Sequence, residues 1–155
     1  MMQWNNAIYD RTEDDVERAQ ELAKKGYSEM TEAERSEWIA GLKGAFNQSD
    51  IERIENNVQL LSDRLDLNLV TNYGENVKYP DEHYFEQLLF NVEKIRAAYC
   101  IHADTPETPV EPVNDFNKVN DVEKILNDVY TILISNFHYY AGESYYAGDN
   151  LGLLL

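Results

Sequence analysis

The chain has 155 residues, 29 acidic against 13 basic for a formal net charge of −16, and a single cysteine, Cys100. That length makes one ordinary domain, able to bury roughly two thirds of the surface its unfolded form exposes without help from a disulfide or a metal. The acidic excess is spread along the whole sequence and repels phosphate, so neither nucleic acid nor an anionic membrane surface is an expected partner.

No run approaches the roughly 20 apolar residues of a membrane span, and Met1 to Asp10 has neither the basic start nor the apolar core of a secretory signal. A lone cysteine fits a reducing compartment. The expectation is a soluble protein with no export route of its own.

Trp4, Ile8 and Tyr9 open the chain, too scattered to define an element. Thr12 with Asp15 then makes an N-terminal cap for a short helix whose apolar face is Val16, Ala19, Leu22 and Ala23, ending at Lys24, Lys25 and Gly26. Thr31 with Glu34 is a capping box opening a second short helix, lined on one side by Trp38, Ile39, Leu42 and Phe46 and running toward Gly41 and Gly44.

The strongest pattern follows. Ser49 with Glu52 reads as a further capping box, and behind it Ile51, Ile54, Val58, Leu61 and Leu65 step by three and four along a helix over 49–66. Its opposite face is Glu52, Arg53, Glu55, Asn56, Asn57, Gln59 and Asp63, so the stripe needs an apolar partner.

Asn68 to Pro80 mixes turn residues with Leu69, Val70, Tyr73, Val77 and Tyr79, and reads as a loop or a small two-strand excursion. Pro80, Asp81 and Glu82 then start a helix over 81–101 with the stripe Phe85, Leu88, Val92, Ile95 and Tyr99. Pro106, Pro109 and Pro112 forbid helix in 104–113, which becomes an extended crossing linker able to span roughly 30 Å. A third stripe, Val119, Val122, Leu126, Val129, Leu133 and Phe137, lies on a helix over 114–140.

There is a faint internal echo: Val92-Glu93-Lys94-Ile95 recurs as Val122-Glu123-Lys124-Ile125, and Asn57-Val58 matches Asn91-Val92. The last stretch, 141–155, is irregular, aromatic and apolar. Tyr139, Tyr140, Tyr145 and Tyr146, with Leu151, Leu153, Leu154 and Leu155, form the candidate interface, either folded back on the bundle or covered by another subunit.

Patterns that carry chemistry are sparse. Cys100, His102 and Asp104 have the residue types of a nucleophile, base and orienter, but residues two apart on a helix face different ways. His83 and Glu86 share a helix face and would need a matching carboxylate-histidine pair to hold a metal; none is present. Glu52 and Glu55 are a cap and a solvated face. With no phosphate-cradling glycine loop, CxxC pair or serine nucleophile motif, no catalytic residue, metal site or cofactor is expected.

One set of phrases points further. Asp10-Arg11-Thr12, Asp15-Val16, Arg18, Gly26-Tyr27, Met30-Thr31, Trp38, Gly41-Leu42-Lys43-Gly44-Ala45, Asn47, Asp50-Ile51 and Arg53-Ile54-Glu55 together resemble a helical module of tail-associated structural proteins in phages and prophages of Firmicutes. Tyr140-Ala141-Gly142-Glu143 and Tyr146-Ala147-Gly148-Asp149 are similar to phrases near the ends of those proteins.

The resemblance implies a virion component near the tail tip, baseplate or fibre attachment, made in the host cytoplasm and assembling with itself and other tail proteins. It brings no active-site residue. The chain lacks the β-rich shaft and receptor-binding head of longer fibre proteins.

The expected architecture is therefore an all-α bundle of about five helices, three long and two short, with a proline-rich crossover and an irregular C-terminal tail. A competing reading is a small acidic inhibitor that imitates nucleic acid and blocks a host DNA-binding enzyme, on the strength of the charge. Its requirement is a row of carboxylates on one face.

Overall fold

Side-chain caps set where the helices begin. In the computed structural model, which describes residues 3–71 and 80–141 with side chains as far as Asn136, Thr12 and Asp15 form a reciprocal capping box at the start of α1 (Glu13–Lys25). Thr31 and Glu34 do the same for α2 (Glu32–Ala40). Asp81 accepts from the Tyr84 amide at 2.9 Å to open α4 (Glu82–Ala98), and Asp115 accepts from the Lys118 amide at 3.0 Å to open α5 (Phe116–Ala141).

The cap of α3 (Gln48–Arg64) is not Ser49 with Glu52, both of which are exposed. It is Asn47 with Asp50, the Asp50 carboxylate accepting from the Asn47 amide at 2.7 Å. The Asn47 side chain also donates to the Leu42 and Ala45 carbonyls, so the turn before the helix chose the earlier start. No strand occurs among the described residues, a single 3-10 turn spans Tyr27–Glu29, and most of the Asn68 to Pro80 stretch, which reads as a loop or a small two-strand excursion, lies outside them at residues 72–79.

The three long stripes meet. Val58, Val92, Ile95, Ile125, Leu126 and Val129 are all buried in one cluster with Ile54, Leu61 and Leu88, and Val122 joins them. Truncating any of these to alanine removes apolar volume that its neighbours cannot fully reclaim, at about 2–5 kcal/mol for leucine or isoleucine.

The three helices also run in the same direction. Phe46, just before α3, packs on Phe85 at the start of α4; Arg53 in α3 reaches Glu123 in the first half of α5; Asn136 near the end of α5 donates to the Tyr99 hydroxyl just past α4. Parallel neighbours demand long return connections. The described parts of those returns, together with the N-terminal segment, lie in the grooves between the helices.

Residues 3–11 run back along α3 and α5, residues 65–71 along α3 and α4, and residues 99–115 along α4 and α5. The last of these is the proline-rich crossover. Its course is marked by Arg96 Nε donating to the Pro106 carbonyl at 2.9 Å, Thr108 bonded to Glu93, Thr105 bonded to Asp128 at 2.7 Å, and Lys118 donating to the carbonyls of Val110 and Pro112.

An extended strap on a helix has no ladder to satisfy its backbone, so helix side chains must answer it. Asn57 does so with both ends of its amide, accepting from the Asn5 amide at 3.0 Å and donating to the Asn5 carbonyl at 2.8 Å. Asn120 treats Arg11 the same way, at 3.3 and 2.9 Å. Asn91 donates to the Val70 carbonyl at 2.7 Å, and Ser62 accepts from the Leu69 amide.

Asn57 therefore belongs to the interior, at 1% exposure, and not to the solvent face to which helical spacing assigned it. The internal echo also changes register. Asn57-Val58, Asn91-Val92 and Asp128-Val129 each place a strap-holding polar group before a fully buried valine, so the third member is Val129 and not Val122.

α1 and α2 form a smaller unit with its own core of Ala19, Leu22, Met30 and Leu42. α2 stops at Ala40 because Gly41 takes φ +92°, a left-handed value that favours glycine. The predicted apolar side of α2 is thereby divided: Trp38 and Ile39 are exposed, Leu42 enters the small core, and Phe46 packs on the bundle. Arg18 ties α1 to α2 through Glu37 at 2.9 Å.

Candidate functional site

Charged residues gather where the N-terminal strap, α3 and α5 meet. Arg11 Nη2 lies 2.9 Å from Asp50 Oδ1 and 3.0 Å from Glu123 Oε1; Arg53 Nη2 lies 2.5 and 2.7 Å from the same two atoms. Arg53 Nε adds a bond to Glu123 Oε2 at 3.0 Å, and the Ile8 amide donates to that oxygen at 2.8 Å. The Arg11 guanidinium also bonds the Ile8 carbonyl.

Two guanidinium groups and two carboxylates thus neutralise one another inside the fold, with Glu123 only 1% exposed. Burial works against the Arg53 charge, but its bonds to Glu123 and Asp50 outweigh that and hold its pKa above the ordinary value. The ion pairs of this node join the N-terminal strap, α3 and α5 to one another.

Beside the node lies an apolar cleft of about 360 Å³ whose lining includes Val16, Phe46, Phe85, Val113, Phe116 and Val119. All six are half-buried. It is placed at the N-terminal end of the bundle, where α4 and α5 begin and where the loop after α2 arrives. Phe46 and Phe85 meet at 5.8 Å with their planes tilted by 44°. Asn114 and Asp115 edge the opening.

Gly44 brings the loop after α2 against α1 here, since a Cβ at this position would fall within 2.5 Å of the Val16 nitrogen and closer still to the Asp15 carbonyl. Lys43 fastens the same loop, 2.9 Å from Asp10 and 3.5 Å from Asp15.

The other residues singled out in the sequence do not come together. His83 and Glu86 are 3.9 Å apart and both exposed; among the described residues no three His, Cys, Asp or Glu side chains are grouped to hold a metal. Cys100, His102 and Asp104 are exposed, and the Asp104 carboxylate is 3.3 Å from Lys124, whose hydrogen bond lowers its pKa.

Of the candidate interface, Tyr139 and Tyr140 fall within the backbone of α5 beyond the described side chains. Tyr145, Tyr146, Leu151, Leu153, Leu154 and Leu155 lie outside the described residues. No helix among those described is long and apolar enough to cross a membrane.

Helical periodicity and capping assign no role to Arg11 or Glu123. The available signal was Glu123 itself, a charge set between Val122 and Ile125 on the inward arc of α5, where an acid requires a cationic partner. What the fold defines is a class: a parallel three-helix bundle bound by extended straps, with a helical pair appended. Comparison with protein families, curated proteins and solved structures returns no match.

Proposed function

We propose that this chain is a non-enzymatic structural subunit of a phage tail, an adaptor at the baseplate or fibre attachment that acts by assembling with copies of itself and with other tail proteins. The observation that carries the reading is where the resembling residues fall. Arg11, Asp50 and Arg53 form the buried node, Thr12, Asp15 and Thr31 cap helices, Asn47 starts α3, and Lys43 and Gly44 close the loop onto α1. A phrase set devoted to joining elements suits a building block, and the apolar cleft and Leu-rich terminal segment are surfaces for neighbours.

The acidic inhibitor is the second reading, favoured by the net charge. Against it, the exposed carboxylates among the described residues are spread over several elements: Glu13, Glu17 and Glu21 on α1, Glu32 on α2, Glu52 and Asp63 on α3, and Glu86 and Glu93 on α4.

Salt separates the two readings. Copies carrying the same large negative charge associate more strongly as salt screens their repulsion, whereas an acidic mimic loses its basic partner. Light scattering across a salt and concentration series, with copurification on tail particles, is the test. A monomer at every concentration, unaffected by removing Leu151 to Leu155, would count against the structural reading.

A further inference from the structure

α2 contributes no buried residue to either core. The small core is filled from its flanks, by Met30 before it and Leu42 after it, with Ala19 and Leu22 of α1. A nine-residue helix is marginal in water on its own, so polar fixings have to hold it in place. These are the Thr31 capping box, Lys25 to Glu34 at 2.7 Å, Arg18 to Glu37 at 2.9 Å, and Arg35 donating to the carbonyls of Tyr27 and Ser28, each at 3.1 Å.

Thus held, the helix displays apolar side chains instead of burying them. The turn at Gly41 sends Leu42 inward and leaves Ile39 72% and Trp38 39% exposed. Arg35, three and four residues before them, shares their side of the helix, and its guanidinium lies 5.3 Å from the centre of the Tyr27 ring, itself 51% exposed. Tyr27, the Arg35 stem, Trp38 and Ile39 therefore make one continuous patch, where single scattered apolar residues would need no explanation.

The rim of this patch is acidic. From Tyr27 to Ala40 there are four carboxylates and one cation, Arg35, which is turned to the two carbonyls. Glu34 and Glu37 are held by Lys25 and Arg18, Glu29 and Glu32 are exposed, and the neighbouring α1 adds exposed Glu13, Glu17 and Glu21. A second copy would bring the same net charge of −16, and an anionic membrane or nucleic acid is repelled in the same way.

We propose that this face docks a different protein, one whose contact surface is an apolar recess edged by lysine and arginine. Trp38 and Ile39 enter the recess, and Glu29 and Glu32 meet its cationic edge. Tryptophan is a residue type that concentrates binding energy at interfaces, and a charged rim sets the encounter rate and the choice of partner. The contact uses neither the apolar cleft nor the Leu-rich terminal segment, so it holds or fails independently of self-association.

The test takes the full chain and a displayed library of random peptides, selected for binding to wild type and then compared on three variants. Trp38→Ala with Ile39→Ala removes the anchors. Ile39→Lys, at an exposed position outside both cores, sets a like charge against the edge of the recess and guards against a loss caused by misfolding. Glu29→Gln with Glu32→Gln neutralises the rim. Circular dichroism checks that each variant is folded.

The enriched peptides are expected to carry an aromatic or aliphatic residue flanked by lysine or arginine. Their Kd should rise about tenfold or more with either anchor variant and by a smaller factor with the rim variant, and binding to wild type should weaken as salt is added. Peptides without basic residues, binding that survives the loss of Trp38 and Ile39, or a library that yields no binder overturns the proposal. Self-association of wild type in sedimentation velocity that is lost in the anchor variants would assign the face to a second copy and overturn it as well.

Discussion

Replacing Glu123 with glutamine tests the claim that the fold is locked by a buried ionic node. Glu123 is 1% exposed and accepts from Ile8, from Arg11 at 3.0 Å and from Arg53 at 2.7 and 3.0 Å. Glutamine keeps the shape but removes the charge, so two buried guanidinium groups are left with only Asp50. It also turns an NH₂ toward donors, leaving at least one N–H unpaired.

Breaking one member of a buried ion pair costs about 3–5 kcal/mol, a large share of the roughly 5–15 kcal/mol that holds such a domain together. With urea slopes of about 1–3 kcal/mol per molar, the unfolding midpoint should fall by roughly 1–5 M. The assay is equilibrium unfolding followed by far-UV circular dichroism, run for Glu123→Gln, Arg53→Met and the double variant. Residues sharing a network should couple by about 0.5–3 kcal/mol, the second substitution costing less once the first is made. A Glu123→Gln protein within about 1 kcal/mol of wild type, or a double variant equal to the sum of the singles, would refute the account.

Three more outcomes are expected. Gly44→Ala should destabilise by about 1–3 kcal/mol because its methyl group has no room against the Asp15 carbonyl, while Gly26→Ala, with open space but φ +75°, should cost about 1–2 kcal/mol from backbone strain alone; thermal melts compare them. Asn57→Ala should free the strap around Asn5, seen as faster amide exchange over residues 3–8 and a shifted emission from Trp4, which stacks on Tyr130 at 4.0 Å; unchanged exchange there would show that Asn57 does not hold it. The Lys25 hydrogen bond, then that of the Thr31 amide, hold the Glu34 pKa at about 2, below its unfolded value, so its contribution is present above about pH 4.5 and is lost as pH falls toward 2; Glu34→Gln should flatten that part of an acid titration of stability, and an unaltered curve would contradict it.

The helix-level reading of this chain was largely available in the sequence, because caps and apolar spacing are local. Thr12 with Asp15 and Thr31 with Glu34 needed nothing beyond a few neighbouring residues. The Ser49 and Glu52 assignment failed for a physical reason of another range: Asp50 is drawn inward by Arg11 and Arg53, and the start of α3 moved with it. The apolar cleft was beyond local reading because it required Phe46, Phe85 and Phe116, from three separate elements, to be set side by side.

Periodicity alone thus determined that three long helices exist and that Val58, Val92 and Val129 face inward, since a helix repeats every few residues whatever surrounds it. Only the tertiary structure decided that these helices run parallel, that extended segments fill their grooves, and that Asn57 and Glu123 are interior. Those outcomes depend on partners 52 and 112 residues away, such as Asn5 with Asn57 and Arg11 with Glu123, and a pairing at that separation leaves no local pattern from which to read it.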